Sequence, residues 1–239
     1  MKLLEKIAII FFDILDKYIH QKNILKYLKH HLENLKVFID IGSHKGSYTD
    51  LIINNFEVEK IVMAEPQKNI FKYIKKKYFK DKRIRTYNLA ISDKKKIQAL
   101  YINKHDLTSS LTQIDKKNNY LKLKAKLFGG SINDLIQNKY MVNSCKLSEI
   151  IKKNNIKKVD LLKIDTEGHE LQVLRGAGAF LKDKVNFMLI EIHNSNIFLN
   201  YDAKKIHNYL KKNNFILKKR YKFPFTTWED RIYQNKKFS

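Results

Sequence analysis

The chain repeatedly changes its hydrophobic period, passing from a short unbroken apolar run to the three-to-four-residue spacing of a helix. Val37-Phe38-Ile39-Asp40-Ile41 stops at Gly42 and is followed, after polar residues, by Tyr48, Leu51 and Ile52. Ile61-Val62-Met63-Ala64 ends at Glu65-Pro66 and leads into Ile70, Phe71, Tyr73 and Ile74, with Pro66 suited to a first helical turn. Residues 85–91 read as a third strand. Val159-Asp160-Leu161-Leu162-Lys163-Ile164 precedes a helix over about 169–181, and Phe187-Met188-Leu189-Ile190-Glu191-Ile192 reads as a strand of the buried type. A helix near 203–212 and two final strands around 215–217 and 231–233 close the chain. Strands that alternate with helices form a parallel sheet, because each parallel pair needs a long crossover, and the crossover helices cover the sheet faces.

Between Asp93 and Val159 this alternation lapses into paired lysines, Gly129-Gly130 and short apolar stretches. We read residues 94–158 as an insertion that shapes a pocket within a domain spanning 35–239. Ahead of it, residues 1–34 form a helical extension, with Leu4, Ile7, Ala8, Phe11, Ile14, Leu15, Tyr18 and Ile19, then Ile24, Leu25 and Leu28, at helical spacing. Its apolar face is expected against the domain's own sheet or against a second copy in a homodimer. A length of 239 residues suits one sizeable domain and leaves no room for a second.

The apolar run at residues 7–12 ends at Asp13, far short of the roughly 20 residues of a membrane span. Asp13, Asp16 and Lys17 stand where a signal peptide would need a small-residue cleavage site, so these residues are read as mature protein. Cys145, the single cysteine, excludes an internal disulfide and a multi-cysteine zinc site and points to a reducing compartment, the cytoplasm by default. Forty-eight basic against 24 acidic residues give a net charge of +24, which attracts polyanions, but only five of the 48 are arginine. With lysine, asparagine and isoleucine all abundant, AT-rich coding accounts for the charge better than nucleic-acid binding does.

The loop Asp40-Ile41-Gly42-Ser43-His44-Lys45-Gly46 carries the first chemical signal. A dinucleotide fingerprint needs G-x-G-x-x-G to cradle a pyrophosphate, whereas the spacing here is G-x-x-x-G, suited to a cofactor without one. Glu65 ends the second strand 19 positions after Gly46, where an acidic side chain can accept both hydrogen bonds of a ribose diol. Together they point to a nucleoside cofactor.

These segments, with Asn88-Leu89-Ala90-Ile91-Ser92-Asp93, Ser109-Ser110-Leu111, Leu162-Lys163-Ile164-Asp165-Thr166-Glu167-Gly168-His169-Glu170 and Val173-Leu174-Arg175-Gly176-Ala177, resemble the FkbM family of S-adenosylmethionine-dependent methyltransferases. The resemblance runs from about Val37 to Asn194. It implies a Rossmann-like class I methyltransferase fold, a mostly parallel seven-stranded sheet with helices on both faces and a terminal antiparallel hairpin. It also implies S-adenosyl-L-methionine as cofactor, held by Asp40, Gly42, Ser43, Gly46, Glu65, Pro66, Asn88, Ala90, Ser92, Asp93 and Asp165. Asp40, Gly42 and Gly46 would take the methionine part, Glu65 the ribose, and residues 88–93 would lie against the adenine.

Methyl transfer to a hydroxyl aligns oxygen, carbon and sulfur and removes a proton from the attacking oxygen. Asp165, Glu167, His169, Glu191 and His193 are the bases near the strand ends. Asp165, Glu191 and His193 are the expected catalytic set, with His193 favoured as base because its ordinary pKa lies nearest working pH. His169 and Glu170 open a helix and are expected to satisfy its free amides. Asp165, Glu191 and His193 could also hold a divalent cation, although no metal is assigned. The remaining histidines, among them His30, His31, His105 and His207, read as surface groups. The expected activity is O-methylation of a sugar, glycan precursor or small natural product. A nucleic-acid acceptor and a non-catalytic cofactor-binding module are the alternatives.

Overall fold

The computed structural model describes residues 15–103, 109–127, 131–132, 136–224 and 226–239. The strands are β1 (Val37–Ile41), β2 (Lys60–Ala64), β3 (Ile84–Tyr87), β4 (Ala90–Ile91), β5 (Lys96–Asn103), β6 (Ile136–Cys145), β7 (Val159–Ile164), β8 (Val185–His193), β9 (Phe215–Lys222) and β10 (Trp228–Asn235). The helices are α1 (Gln21–His31), α2 (Ser47–Ile53), α3 (Lys68–Lys77), α4 (Asn119–Leu127), α5 (Leu147–Lys153), α6 (Glu170–Ala177), α7 (Ala179–Lys184) and α8 (Ala203–Lys212). A π-helical turn, Asp16–His20, leads into α1.

Seven strands form the main sheet in the order β3-β2-β1-β7-β8-β10-β9. The first five are mutually parallel, and β10 runs antiparallel between β8 and β9. The chain moves outward from β1 to β2 to β3, then returns to lay β7 on the other side of β1. Where strand order reverses, the connections leave the sheet in opposite directions and open a crevice beyond the carboxyl ends of the strands. That crevice lies between the tips of β1 and β7.

Alternate side chains of these buried strands supply two cores. Ile39, Val62, Leu162, Met188 and Ile190 pack with Ile151 of α5, Val173 of α6, Leu181 of α7 and Leu210 of α8. On the opposite face Phe38, Ile61, Leu161 and Phe187 pack with Ile24 and Leu28 of α1, Ile52 of α2 and Ile74 of α3. Helix α1 therefore spends its apolar face on the domain's own sheet, with Ile24, Leu25 and Leu28 all buried within one copy. His20, bonded to Asp230 at 2.8 Å, ties the start of this helix to β10. The apolar positions from Leu4 to Ile14 lie outside the described residues.

Several expectations from the sequence change. Residues 85–91 are not one strand: after Tyr87 the Asn88 side chain donates to the carbonyls of Glu65 and Pro66, and the chain leaves the main sheet. Residues 90–91 instead begin a three-stranded sheet in the order β4-β6-β5. The stretch from Lys94 to Lys158 supplies β5, α4 and β6, but it also holds α5, which covers the main sheet. Pro66 precedes helix α3, whose N-cap is Gln67. The helix expected over 169–181 breaks at Gly178, whose φ of 57° ends α6 and starts α7. Among the described residues no helix is long and apolar enough to cross a membrane.

Candidate active site

At the crevice, β1 and β7 approach so closely that residue 42 has no room for a side chain. Gly42 has φ +78°, and a Cβ built there would fall 1.7 Å from the Asp165 carbonyl oxygen. Gly46, also at φ +78°, caps the start of α2, and its Cβ would lie 2.4 Å from the Tyr78 hydroxyl. The tight loop is thus required by the protein's own packing, and it leaves backbone facing the cleft. Gly42, Glu65, Ala90, Leu111, Asp165 and Glu167 are among the residues lining that cleft.

Glu65 is buried, and its carboxylate accepts from the backbone N–H groups of His44 (2.9 Å) and Gln67 (2.8 Å). Opposite it, the loop after β7 is organised by Glu170, which accepts from Thr166 N (3.1 Å), Thr166 Oγ1 (3.0 Å) and Gly168 N (3.0 Å). That loop forces Glu167 into left-handed backbone (φ 53°), a conformation that a non-glycine residue rarely adopts. Its carboxylate turns toward the tip of β8, where His193 Nε2 lies 3.3 Å from Glu167 Oε2 and 3.3 Å from Glu191 Oε1. Asp165 meets the ammonium of Lys163 at 2.8 Å, and that ammonium stands 5.4 Å from the centre of the Tyr48 ring.

With this arrangement in hand, a family model described as the methyltransferase FkbM domain matches residues 40–217. The chain belongs to the FkbM methyltransferase family. The match runs past Asn194, where the sequence resemblance was expected to end, through α8 into β9. Hexuronic acid methyltransferase AglP of Haloferax volcanii is 42% identical over 45 residues, 19% of this chain and 18% of that protein. The crystal structure of methyltransferase FkbM from Methylobacillus flagellatus KT superposes with a TM-score of 0.53 at 15% identity, over 84% of this chain and 43% of that one. The structure of M. capricolum TrmK in complex with S-adenosyl-homocysteine gives 0.48 at 10% identity, over 84% of this chain and 62% of that one. The chain therefore spans less than half the length of the FkbM structure and under a fifth of AglP.

In this FkbM-family chain the residues singled out from the sequence divide into groups that line the cleft and groups that support it. Gly42, Glu65, Pro66, Ala90 and Asp165 line it. Asp40 and Ser43 are buried, and Gly46 caps α2; none of the three is on the lining. Asp40 accepts from Thr49 Oγ1 at 2.8 Å, beneath the glycine loop. Asn88 ties the turn after β3, and Ser92, which precedes Asp93, bonds the ring of His169 at 2.9 Å. Glu191 and His193 stand one layer behind the lining, reached through Glu167. Glu170 satisfies loop amides as expected, whereas His169 bonds Ser92 and Thr112 and faces the cleft.

Burial sets the charge states. It pushes Glu65 up to about 7, against the two N–H donors and with some help from the Asp40 and Asp165 carboxylates. Burial lowers His169 to about 4, so its ring is neutral at pH 7. Lys163 would be lowered by burial, but the carboxylates of Asp165 and Asp40 hold it above its usual range as a fixed cation. His193 is also opposed by burial, and Glu167 and Glu191 more than reverse this, keeping a proton on the imidazole. Burial, aided by the charges of Asp165 and Glu167, raises Glu191 well above the ordinary carboxylate range. The expectation that His193 is the free base therefore meets a physical obstacle: the ring is buried off the lining, and the two carboxylates beside it favour its protonated form. His44, Gln67 and Thr166 also line the cleft and were given no role from the sequence, since the backbone amides of His44 and Gln67 act through position alone.

Proposed function

We propose that this chain transfers the methyl group of S-adenosyl-L-methionine to a hydroxyl of a sugar or glycan precursor. The observation that carries the reading is the two-ended cleft, with the Gly42 loop and Glu65 at one end and Asp165 and Glu167 at the other. The cofactor's ribose diol donates to Glu65, its amino-acid part lies along the glycine loop, and its adenine rests on Leu89, Ala90 and Leu111. The sulfonium then comes close to Asp165, whose negative charge favours a cation. Asp165 is the carboxylate on the lining that takes the acceptor's proton as oxygen bonds to the methyl carbon and the carbon–sulfur bond breaks.

The acidic character of the acceptor end supports an uncharged hydroxyl acceptor over a nucleic acid. Phosphates brought up to Asp165 and Glu167 would be repelled at close range. The 45-residue similarity to a hexuronic acid methyltransferase favours a sugar among hydroxyl-bearing acceptors. The test is transfer of labelled methyl from S-adenosylmethionine into pooled sugars, sugar nucleotides and RNA. Label in sugar supports the reading, and label only in RNA refutes it.

A further inference from the structure

We propose that Glu167, Glu191 and His193 bind one divalent transition-metal ion at the acceptor end of the cleft. One ligand atom from each residue falls within a 4.8 Å span, and the imidazole Nε2 is 3.3 Å from an oxygen of each carboxylate. Two atoms bound at about 2.1 Å to one ion lie about 3.0–3.4 Å apart at octahedral or tetrahedral angles, so both nitrogen–oxygen pairs are already at ligand spacing.

The imidazole supplies the independent observation. His193 is 4% exposed, and neither ring nitrogen has an in-line hydrogen-bond partner. One nitrogen facing two carboxylates can direct a single hydrogen at one of them, whereas a cation between the three accepts the nitrogen lone pair and both oxygens together. A buried polar ring left in this state otherwise costs free energy. The ring cannot easily swing away, because the rings of Phe198 (4.9 Å) and Tyr201 (5.8 Å) meet it edge-on and the His193 N–H donates to Tyr201 Oη at 3.0 Å. Glu191 and His193, two apart on β8, share one side of the strand.

Two carboxylate oxygens and one imidazole nitrogen suit Mn²⁺, Co²⁺ or Zn²⁺ better than Ca²⁺ or Mg²⁺, which take oxygen sets. Three protein ligands leave positions open. Resting on the methyltransferase reading, one of these takes the acceptor hydroxyl and makes it more acidic. The acceptor O–H proton then passes to Asp165, the oxygen bonds to the methyl carbon, and the carbon–sulfur electron pair returns to sulfur.

The test is a titration of Co²⁺ into chelator-treated, dialysed protein, followed by visible absorption, with Zn²⁺ as competitor. A net charge of +24 gives the chain little general attraction for cations, which sharpens the readout. One equivalent is expected, with Glu191→Gln and His193→Ala weakened by more than the roughly 10- to 100-fold that loss of an outer-shell partner costs. Glu167→Gln, a loop substitution, carries the same test if His193→Ala fails to fold. Absence of a Co²⁺ spectrum in the wild type, or identical titration of wild type and Glu191→Gln, overturns the site. Calorimetry with S-adenosylhomocysteine on the same samples separates the two readings, since loss of either ligand leaves the other's result intact.

Discussion

The two ends of the cleft are built by different means. At the β1–β2 end, contacts come from backbone in a glycine turn and from one carboxylate held by two N–H donors, all within residues 42–67. At the β7–β8 end, ionisable side chains converge from a strand tip, a left-handed loop residue and the next strand, with the Lys163 ammonium behind them. The first end is a fixed shape, suited to a donor that never varies. The second is a concentration of charge, suited to moving a proton, and its geometry exists only when β7 and β8 pair.

Gly42 joins the two ends, so the largest effect is expected there. Gly42→Val should cost more than about 3 kcal/mol, through positive φ and collision with the Asp165 carbonyl, as measured by urea denaturation. A loss under about 1 kcal/mol would mean that the ends are not locked together. Next, Asp165→Asn should lower turnover about 10²-fold or more while S-adenosylhomocysteine binds nearly as before. If affinity and turnover fell together, the division into a binding end and a chemical end would be wrong. A smaller effect is expected for RNA and DNA, which should bind weakly, lose affinity steeply with salt and take up no methyl label in filter-binding and transfer assays. Tight binding at physiological salt would sink the account of the charge as compositional.

The β1–β2 end was readable in the sequence because its determinants are local: an apolar run, a glycine spacing and an acid at the next strand end. The β7–β8 end was readable only in its membership. Asp165, Glu191 and His193 were named, yet the intrinsic pKa that recommended His193 as a base gives way to burial between two carboxylates, a tertiary fact. Likewise the break after Tyr87 depends on the Asn88 amide reaching carbonyls 22 and 23 residues earlier, which no periodicity encodes. Ser109-Ser110-Leu111 entered the resemblance without a role, and the structure brings all three to the cleft lining.

Glu65 makes the central claim measurable. Its pKa rises from 4.5 to about 7, so in the cofactor-free protein its contribution to stability is fully present below about 4.5 and is lost as pH rises through about 7. Ribose hydroxyls donate to the ionised form, so cofactor binding runs the other way and strengthens over the same window. Calorimetric titration of S-adenosylhomocysteine between pH 6 and pH 8 (about one unit to either side of that pKa) tests this on wild type and Glu65→Gln. The wild type should tighten as pH rises, and the variant should be weaker by about 1–3 kcal/mol at the upper pH with little pH dependence. A variant that binds as tightly as wild type at the upper pH would contradict a ribose site at Glu65.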